Sequence, residues 1–407
     1  MDPGPALPTF RLIERTAAEC RLDPDDVDFL LSAHRAHVQL SPTRQRDVYR
    51  LTPRGHVGTI VAPACRLLIR PKIPVRNLFY LLDPTGPVPA AEDRTAAAPG
   101  TELLDFLAGQ LARLLSERAA RGLHRAYVER GVHGPFLQGR LDVPAQLRDA
   151  HGRKDRVHCR HEDFTTDVPC NQIPRATAEL VLRSPLLGES ARHALRRSLS
   201  PFAEVSPIAL GPEGFASAAA DRLAEAYRPL LDLCRLLAES LSPAQAAGAL
   251  PCPAFLLDME RVFESYLTAH CVAAWDGQDG LGVSVQPRLR PHHPTAGQPD
   301  LTMRPDLILE RGGRPELVVD AKWKRLPPRA LVTADVYQVL AYCTALGIGR
   351  AALVYPGRHG RRWAYRFEHS PVYLEVHSLR VVGSREKCLA AAGRLARHLA
   401  RAVPQPR

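Results

Sequence analysis

Lysine is scarce in this chain. Of 54 basic residues among 407, only Lys72, Lys154, Lys322, Lys324 and Lys387 are lysine; the other 49 are arginine. A composition that takes arginine so freely makes each retained lysine a sign that an ammonium is needed, because lysine shifts its pKa and arginine does not. No run of 18 apolar residues occurs, which excludes a membrane-spanning helix. The opening stretch MDPGPALPTFRLIER lacks a basic segment followed by an apolar one, so no secretory leader is expected. The nine cysteines are scattered and contain no CxxC pair. That pattern excludes a disulfide framework and points to a reducing cytoplasm. His158, Cys159 and His161 lie close together, but no second pair stands at zinc-finger spacing, so they read as ordinary structure. GxxxxGK[ST] is absent, which excludes nucleotide binding through a P-loop.

What is present is unevenly placed. The net charge is +11, and the last 107 residues carry all of it: 19 basic against 8 acidic from Leu301 onward, with 35 of each before. A positive field of that kind suits a phosphate polyanion. The same stretch holds two short apolar runs, Leu307-Ile308-Leu309 and Leu317-Val318-Val319, around Gly312-Gly313. Such a pair predicts a β-hairpin. Asp306 opens its first strand and Asp320 closes its second, so both carboxylates lie at one end of a sheet. Residues two apart share a strand face, so Lys322 points with Asp320 and Ala321 points away. A helix is expected over Thr333 to Leu346, capped by Thr333 or Asp335 and stopped by Gly347. Gln338 and Tyr342 share one face of it. Two carboxylates and a lysine suit phosphodiester cleavage with Mg²⁺, which takes one or two carboxylates plus substrate phosphate oxygens.

The run PD…DAKWK…QVLAY resembles PD-(D/E)xK nucleases carrying the QxxxY helix motif, and more narrowly the McrC family of McrBC-type modification-dependent restriction systems. GHVGTIVAPACRLLIRPKIPVRNLFYLL resembles the amino-terminal pattern of that family, and Gly139–Leu147 and HEDFTTDVPCNQIPRATAELVL resemble its middle stretches. The resemblance implies an Mg²⁺-dependent DNA endonuclease subunit, with Mn²⁺ as an alternative metal. Asp306 and Asp320 are the implied metal ligands, with the Ala321 carbonyl as a third. Lys322 is implied to position or activate water, and Gln338 and Tyr342 to orient the site. Trp323 and Lys324 are secondary. In such folds the helix before the first strand often supplies a further acid; the family's Phe-Glu pair matches Phe263-Glu264, which favours Glu264 over Glu260. The implied partners are double-stranded DNA and a hexameric McrB-like AAA+ GTPase motor that reads the modified base. Self-association through the nuclease domain is compatible with a double-strand cut. No membrane is implied. Two alternatives remain open: a standalone RecB-like repair nuclease, and a non-catalytic adaptor of an AAA+ ring.

The expected fold class is α+β and multidomain. A β-rich partner-binding domain (1–85) is expected first, then a mainly helical middle region (86–253) that begins with a linker over 84–100. The PD-(D/E)xK domain with a mixed central sheet and a C-terminal helix fills 254–407. Helices are expected over Ile13 to Val38, Thr101 to Arg121, Asp167 to Leu187, Ala216 to Leu241 and 254–276, with the first strand of the last domain at Ser284 to Leu289. Lys72 is read as a strand-end lysine, either solvated or in contact with the partner. Asp163, Asp167 and Asn171 read as turn and capping residues, not metal ligands. His292 and His293 are placed in a solvated loop. Arg358, Arg361 and Arg362 form a basic turn beside Trp363 and Tyr365 that suits the DNA backbone.

Overall fold

The computed structural model describes residues 7–82, 99–149, 155–220, 226–241, 253–275, 280–291, 299–326 and 331–401. Contacts divide the chain into two compact units, where three regions were expected. Met1–Val57, Leu67–Ala96 and Leu257–Arg407 form one; Gly58–Arg66 and Ala97–Leu256 form the other. The amino-terminal strands thus belong to the unit that carries the motif.

That unit begins with β1 (Thr9–Ile13), β2 (Ala18–Arg21), α1 (Pro24–Ala33), β3 (Val38–Pro42) and β4 (Val48–Pro53). Of the one or two short helices expected between Ile13 and Val38, one forms, α1, and the stretch also holds β2. In β2, buried Cys20 stands between exposed Glu19 and Arg21, a period-two pattern too short to stand out in sequence. β2, β4 and β3 form an antiparallel sheet. The chain leaves along β5 (His56–Val61) and returns in β6 (Arg66–Arg70), which lies beside β1, before α2 (Val75–Leu82).

The second unit is helical as expected in α3 (Pro99–Ala120), α5 (Pro169–Arg183), α6 (Glu189–Ser198), α7 (Pro212–Ala220) and α8 (Arg228–Ser240). It also holds strands that were not expected. β7 (Ala126–Gly134), β8 (Arg140–Leu141) and β9 (Val157–Thr165) form a three-stranded antiparallel sheet, with α4 (Val143–Arg148) between the last two. No residue of β7 is buried, so the run AYVERGVHG carries no apolar signal. β10 (Ala254–Asp258) is a strand where helix was expected, and it lies beside β5. Gly58, in the Val-Gly strand, has φ +145, and a Cβ there would come within 2.0 Å of the Phe255 carbonyl oxygen. Only glycine permits that approach.

The rest of the first unit is one layered structure. After α9 (Met259–Trp275) come β11 (Leu281–Val285), β12 (Leu307–Arg311), β13 (Arg314–Ala321), α10 (Thr333–Leu346), β14 (Arg350–Gly357), β15 (Arg361–Phe367), β16 (Ser370–Arg380) and α11 (Arg385–Arg401). The sheet order is β11-β12-β13-β14-β16-β15. It is mixed, as expected: β13-β14 and β14-β16 are parallel and the other pairs antiparallel. The expected hairpin is β12-β13, turning through Gly312 and Gly313 at φ 55 and 76, the double positive φ that a tight hairpin needs. Val339 and Cys343 of α10 pack on Leu353, Tyr355, Leu374 and Val376. By alternation, Glu375 and His377 face the other way, where His398 of α11 meets them. β11 starts and ends earlier than expected, because the backbone turns sharply at Gln286 (φ 47).

Candidate active site

The register of the hairpin sets the site. Leu307 pairs with Val319, so Asp306 and Asp320 follow on adjacent strands at the same sheet end. Asp306 Oδ2 accepts a hydrogen bond from the Ala321 amide at 2.7 Å. Asp320 is 1% exposed; its Oδ2 lies 2.6 Å from Lys322 Nζ, while its Oδ1 meets no donor among the described residues. Lys322 Nζ also donates to Gln338 Oε1 at 2.9 Å, and Gln338 Nε2 donates to Tyr342 Oη at 2.6 Å. Tyr342 in turn donates to the Arg304 carbonyl at 3.1 Å. The i, i+4 pair on α10 is thus a relay that fixes the ammonium against the hairpin.

Glu264 of α9 joins from the side. It accepts from Gln286 Nε2, and Gln286 Oε1 accepts from Arg304. The left-handed backbone at Gln286 aims its amide between those two groups, a strained conformation of the kind found at functional sites. Sequence reading missed Gln286. Glu260 instead pairs with Arg15 on the surface.

The electrostatics follow from burial. Asp306 is pushed up to about 8 by burial first, then by Asp320 and Glu264. Asp320 is raised by burial, against the pull of Lys322. Burial works against the Lys322 charge, yet Asp320, Asp306 and Asp335 together raise its pKa. Lys322 is therefore an ammonium in this state and serves as a fixed charge. Crowded carboxylates, one of them with a buried oxygen that meets no donor, are a donor set suited to a hard divalent cation.

The expected secondary residues have defined places. Lys324 pairs with Asp335 at 2.6 Å, and Tyr355 donates to the other Asp335 oxygen at 2.6 Å. Asp335 therefore does not cap α10: the N-cap is Val332, with no side-chain bond, while Gly347 stops the helix at φ 67 as expected. Trp323 is buried and donates Nε1 to Glu14 Oε2 at 2.8 Å. Glu14 is also buried, and its other oxygen accepts from the Lys72 amide at 2.9 Å. Lys72 Nζ lies 4.3 Å from the Trp323 ring centroid. Its Nζ is buried, so it is not a solvated edge lysine, and burial pulls its pKa down to about 8.

In the other unit, Asp167 accepts from Gln172 and Ser206, and buried Asn171 bonds the His124 and Thr166 carbonyls and the Tyr227 hydroxyl. Asp163 meets His161 and Arg130. These bonds fix turns and helix starts. His292 and His293 lie outside the described residues.

Comparison with known proteins places the chain among restriction-system components. The family model described as "McrBC 5-methylcytosine restriction system component" matches residues 51–356. The Type IV methyl-directed restriction enzyme EcoKMcrBC of Escherichia coli (strain K12) is 22% identical over 302 residues, covering 68% of this chain and 82% of that protein. Among solved structures, a chain in the half-complex of the tetradecameric Thermococcus gammatolerans assembly of McrB AAA+ hexamers with bound McrC superposes with a TM-score of 0.52. The match has 17% identity and covers 96% of this chain and all of that one, which shows a shared fold. The chain belongs to the family of McrBC 5-methylcytosine restriction system components.

Proposed function

We propose that this chain is the DNA-cleaving subunit of its restriction system. The observation that carries the reading is the buried Asp306–Asp320 pair, with Lys322 held against it by Gln338 and Tyr342. Asp306 and Asp320 would hold Mg²⁺, with Glu264 and the Ala321 carbonyl completing the set. When bound, the cation supplies Lewis-acid polarisation of the scissile phosphate. The chain's own groups do the rest. The Lys322 ammonium offsets charge that grows on the phosphate oxygens, and its fixed position spares reorganisation at the moment of reaction. Gln338, backed by Tyr342, holds that ammonium from one side while Asp320 pairs with it from the other. The Ala321 amide anchors one oxygen of the Asp306 carboxyl group.

Substrate and partner belong to the same proposal. β15 is exposed along most of its length and carries Arg361, Arg362 and Arg366 beside half-exposed Trp363 and Tyr365. This suits backbone contact with duplex DNA. McrC is bound to McrB AAA+ hexamers in the Thermococcus gammatolerans assembly. This chain is proposed to dock on such a motor ring, which hydrolyses nucleotide and reads 5-methylcytosine.

The test is cleavage of methylated against unmethylated plasmid, with Mg²⁺, nucleotide and the McrB-type partner, and with Asp320→Ala as control. Cleavage that needs partner, nucleotide and methylation and vanishes in the variant is the expected result. Cleavage by the chain alone, indifferent to methylation, would place it with repair nucleases. Ring binding without cleavage would leave it an adaptor.

A further inference from the structure

Most of the positive charge lies beyond the hairpin. From Arg350 onward 12 residues are basic and three acidic, a net of +9 out of the chain's +11. Residues 301–349, which hold the hairpin and α10, contribute only +2. The charge is therefore carried by β14, β15, β16 and α11.

Strand pairing sorts the side chains of β15 between two faces. Residues directly opposite each other in a ladder point to the same side. Trp363 and Tyr365 pair with Val376 and Leu374, which pack on α10, the helix of the proposed nuclease site. Arg362 and Arg366 pair with His377 and Tyr373, so they face α11 instead. The Arg366 guanidinium lies 5.6 Å from the Tyr373 ring centroid on that side. One Glu375 oxygen lies 2.8 Å from His377 Nε2 and 2.7 Å from His398 Nε2, which ties α11 down beside β15.

Two cavities, of about 740 and about 260 Å³, open between β15 and α11 and meet at His398. Arg366 and Arg401 line the larger; Arg362 and Arg394 line the smaller. Each cavity thus takes one arginine from the edge strand and one from the helix. All four arginines are exposed. Among the described residues, Glu375 is the only carboxylate lining either cavity, and it is buried against the two imidazoles. Guanidiniums gathered from two elements around one buried acid suit a polyanion. The spacing suits a repeating one. Arg362 and Arg366 are four residues apart on a strand, about 13 Å. Arg394 and Arg401 are two helical turns apart, about 10 Å. Phosphates of one DNA strand advance about 3.4 Å each along the duplex, so each row spans about three or four of them. The exposed aromatics Trp363 and Tyr365 lie on the opposite face, which leaves the groove to contact charge and not bases.

We propose that the groove between β15 and α11 is a second binding site for the sugar-phosphate backbone of duplex DNA, on the sheet face opposite α10. The identity of the polyanion rests on the nuclease reading; the groove and the α11 arginines go beyond it. β15 lies three strands from β13, about 14 Å across the sheet. The groove therefore holds duplex that flanks the cut, not the scissile phosphate.

The experiment is fluorescence anisotropy of the full-length chain with a short labelled DNA duplex of arbitrary sequence, in EDTA, over a series of KCl concentrations. EDTA removes cleavage from the measurement. Arg394→Gln combined with Arg401→Gln deletes two phosphate contacts, so the slope of log affinity against log salt should flatten by about 1.8. Affinity at about 0.1 M salt should fall by about 10–100-fold. Arg362→Gln combined with Arg366→Gln should do the same, which covers the case that the helix pair misfolds. Arg394→Lys combined with Arg401→Lys keeps both charges and should keep the wild-type slope. Arg196→Gln combined with Arg197→Gln removes the same charge from exposed positions of α6 and should leave the slope unchanged. Folded glutamine variants of the groove that keep the wild-type slope would overturn the assignment. An α6 control that flattens it equally would overturn it too, by reducing the effect to net charge. Groove variants that bind DNA normally but lose the McrB-type ring would make the groove a protein interface instead. Binding through these arginines by a chain that never cleaves plasmid would refute the nuclease reading and leave the groove standing.

Discussion

Replacing Asp306 with asparagine should abolish cleavage and yet make the cation-free protein more stable. The asparagine side chain keeps an oxygen to accept from the Ala321 amide, the bond that anchors Asp306 at 2.7 Å. It removes one of the carboxylates crowded with Asp320 and Glu264, whose repulsion and burial push Asp306 up to about 8. A carboxyl whose folded pKa lies above its unfolded value costs nothing while protonated in both states. The cost appears as pH rises past about 4 and is complete near pH 8. A shift of that size caps the penalty at about 6 kcal/mol. Asp320 and Glu264 share the repulsion and relax in the variant, so a gain of about 2 kcal/mol is expected. The assay is urea unfolding in EDTA at about pH 3.5 and about pH 8.5, where the advantage should be near zero at the lower value and full at the higher. Adding Mg²⁺ should stabilise wild type by mass action and leave Asp306→Asn unmoved. If Asp306→Asn is no more stable than wild type at the higher pH without cation, the carboxylates are not crowded and the metal-site reading loses its physical basis.

Three further outcomes follow from the same geometry. Lys322→Gln leaves Asp320 buried without its counter-charge; cleavage should fall by at least about 100-fold, the scale of removing one preorganised charge-stabilising group, while binding to the motor ring persists. Equal cleavage in Lys322→Gln would remove lysine from the mechanism. Tyr342→Phe deletes the hydroxyl that links Gln338 to the Arg304 carbonyl, and thermal melts should show a loss of about 1 kcal/mol together with slower cleavage. Trp323→Phe keeps an aromatic ring under Lys72 but removes the donor to Glu14; a loss of about 1–3 kcal/mol is expected. It should grow with pH through the carboxyl range, because Glu14, already raised by burial, is raised further, and a flat pH profile of the loss would contradict this.

The parts of the site legible in sequence are those whose signal is local. Gly312-Gly313 and the flanking β-branched runs specify the hairpin, and a hairpin register brings Asp306 beside Asp320 with no long-range information. The four-residue spacing of Gln338 and Tyr342 likewise fixes a shared helix face. Gln286 carries no such mark: its role depends on a left-handed backbone at a strand end, which an ordinary Val-Gln-Pro run does not announce. Glu14 is invisible for another reason, since it meets Trp323 across 309 residues and looks like any charged residue in a turn. The ribbon β7–β9 merges into a helical region in sequence because neither of its faces is packed deeply enough to impose alternation. β10 merges with the helix that follows because Ala254–Asp258 is buried on both faces, and a continuous apolar run fits strand and helix equally.

The pairing of Glu14 with Trp323 also changes how the amino-terminal region is to be dissected. Residues 1–85 resemble the ring-engaging part of the family, so truncation is the obvious way to test docking. The truncated chain would lose Glu14 and Lys72 together. Trp323 sits between Lys322 and Lys324, and its indole would then keep neither the Glu14 acceptor nor the Lys72 ammonium beside its ring. A truncated chain that fails to cleave therefore cannot distinguish a lost partner from a displaced Lys322. Point changes on the exposed surface of the same region, at Glu19 or Arg50 on paired strands β2 and β4, leave that support intact. A loss of ring binding in those variants, with the metal-dependent stabilisation of the Asp306–Asp320 site unchanged, assigns docking to the amino-terminal strands. The same loss accompanied by a weakened metal response would mean that strands and hairpin act as one cooperative body, as their membership of a single compact unit implies.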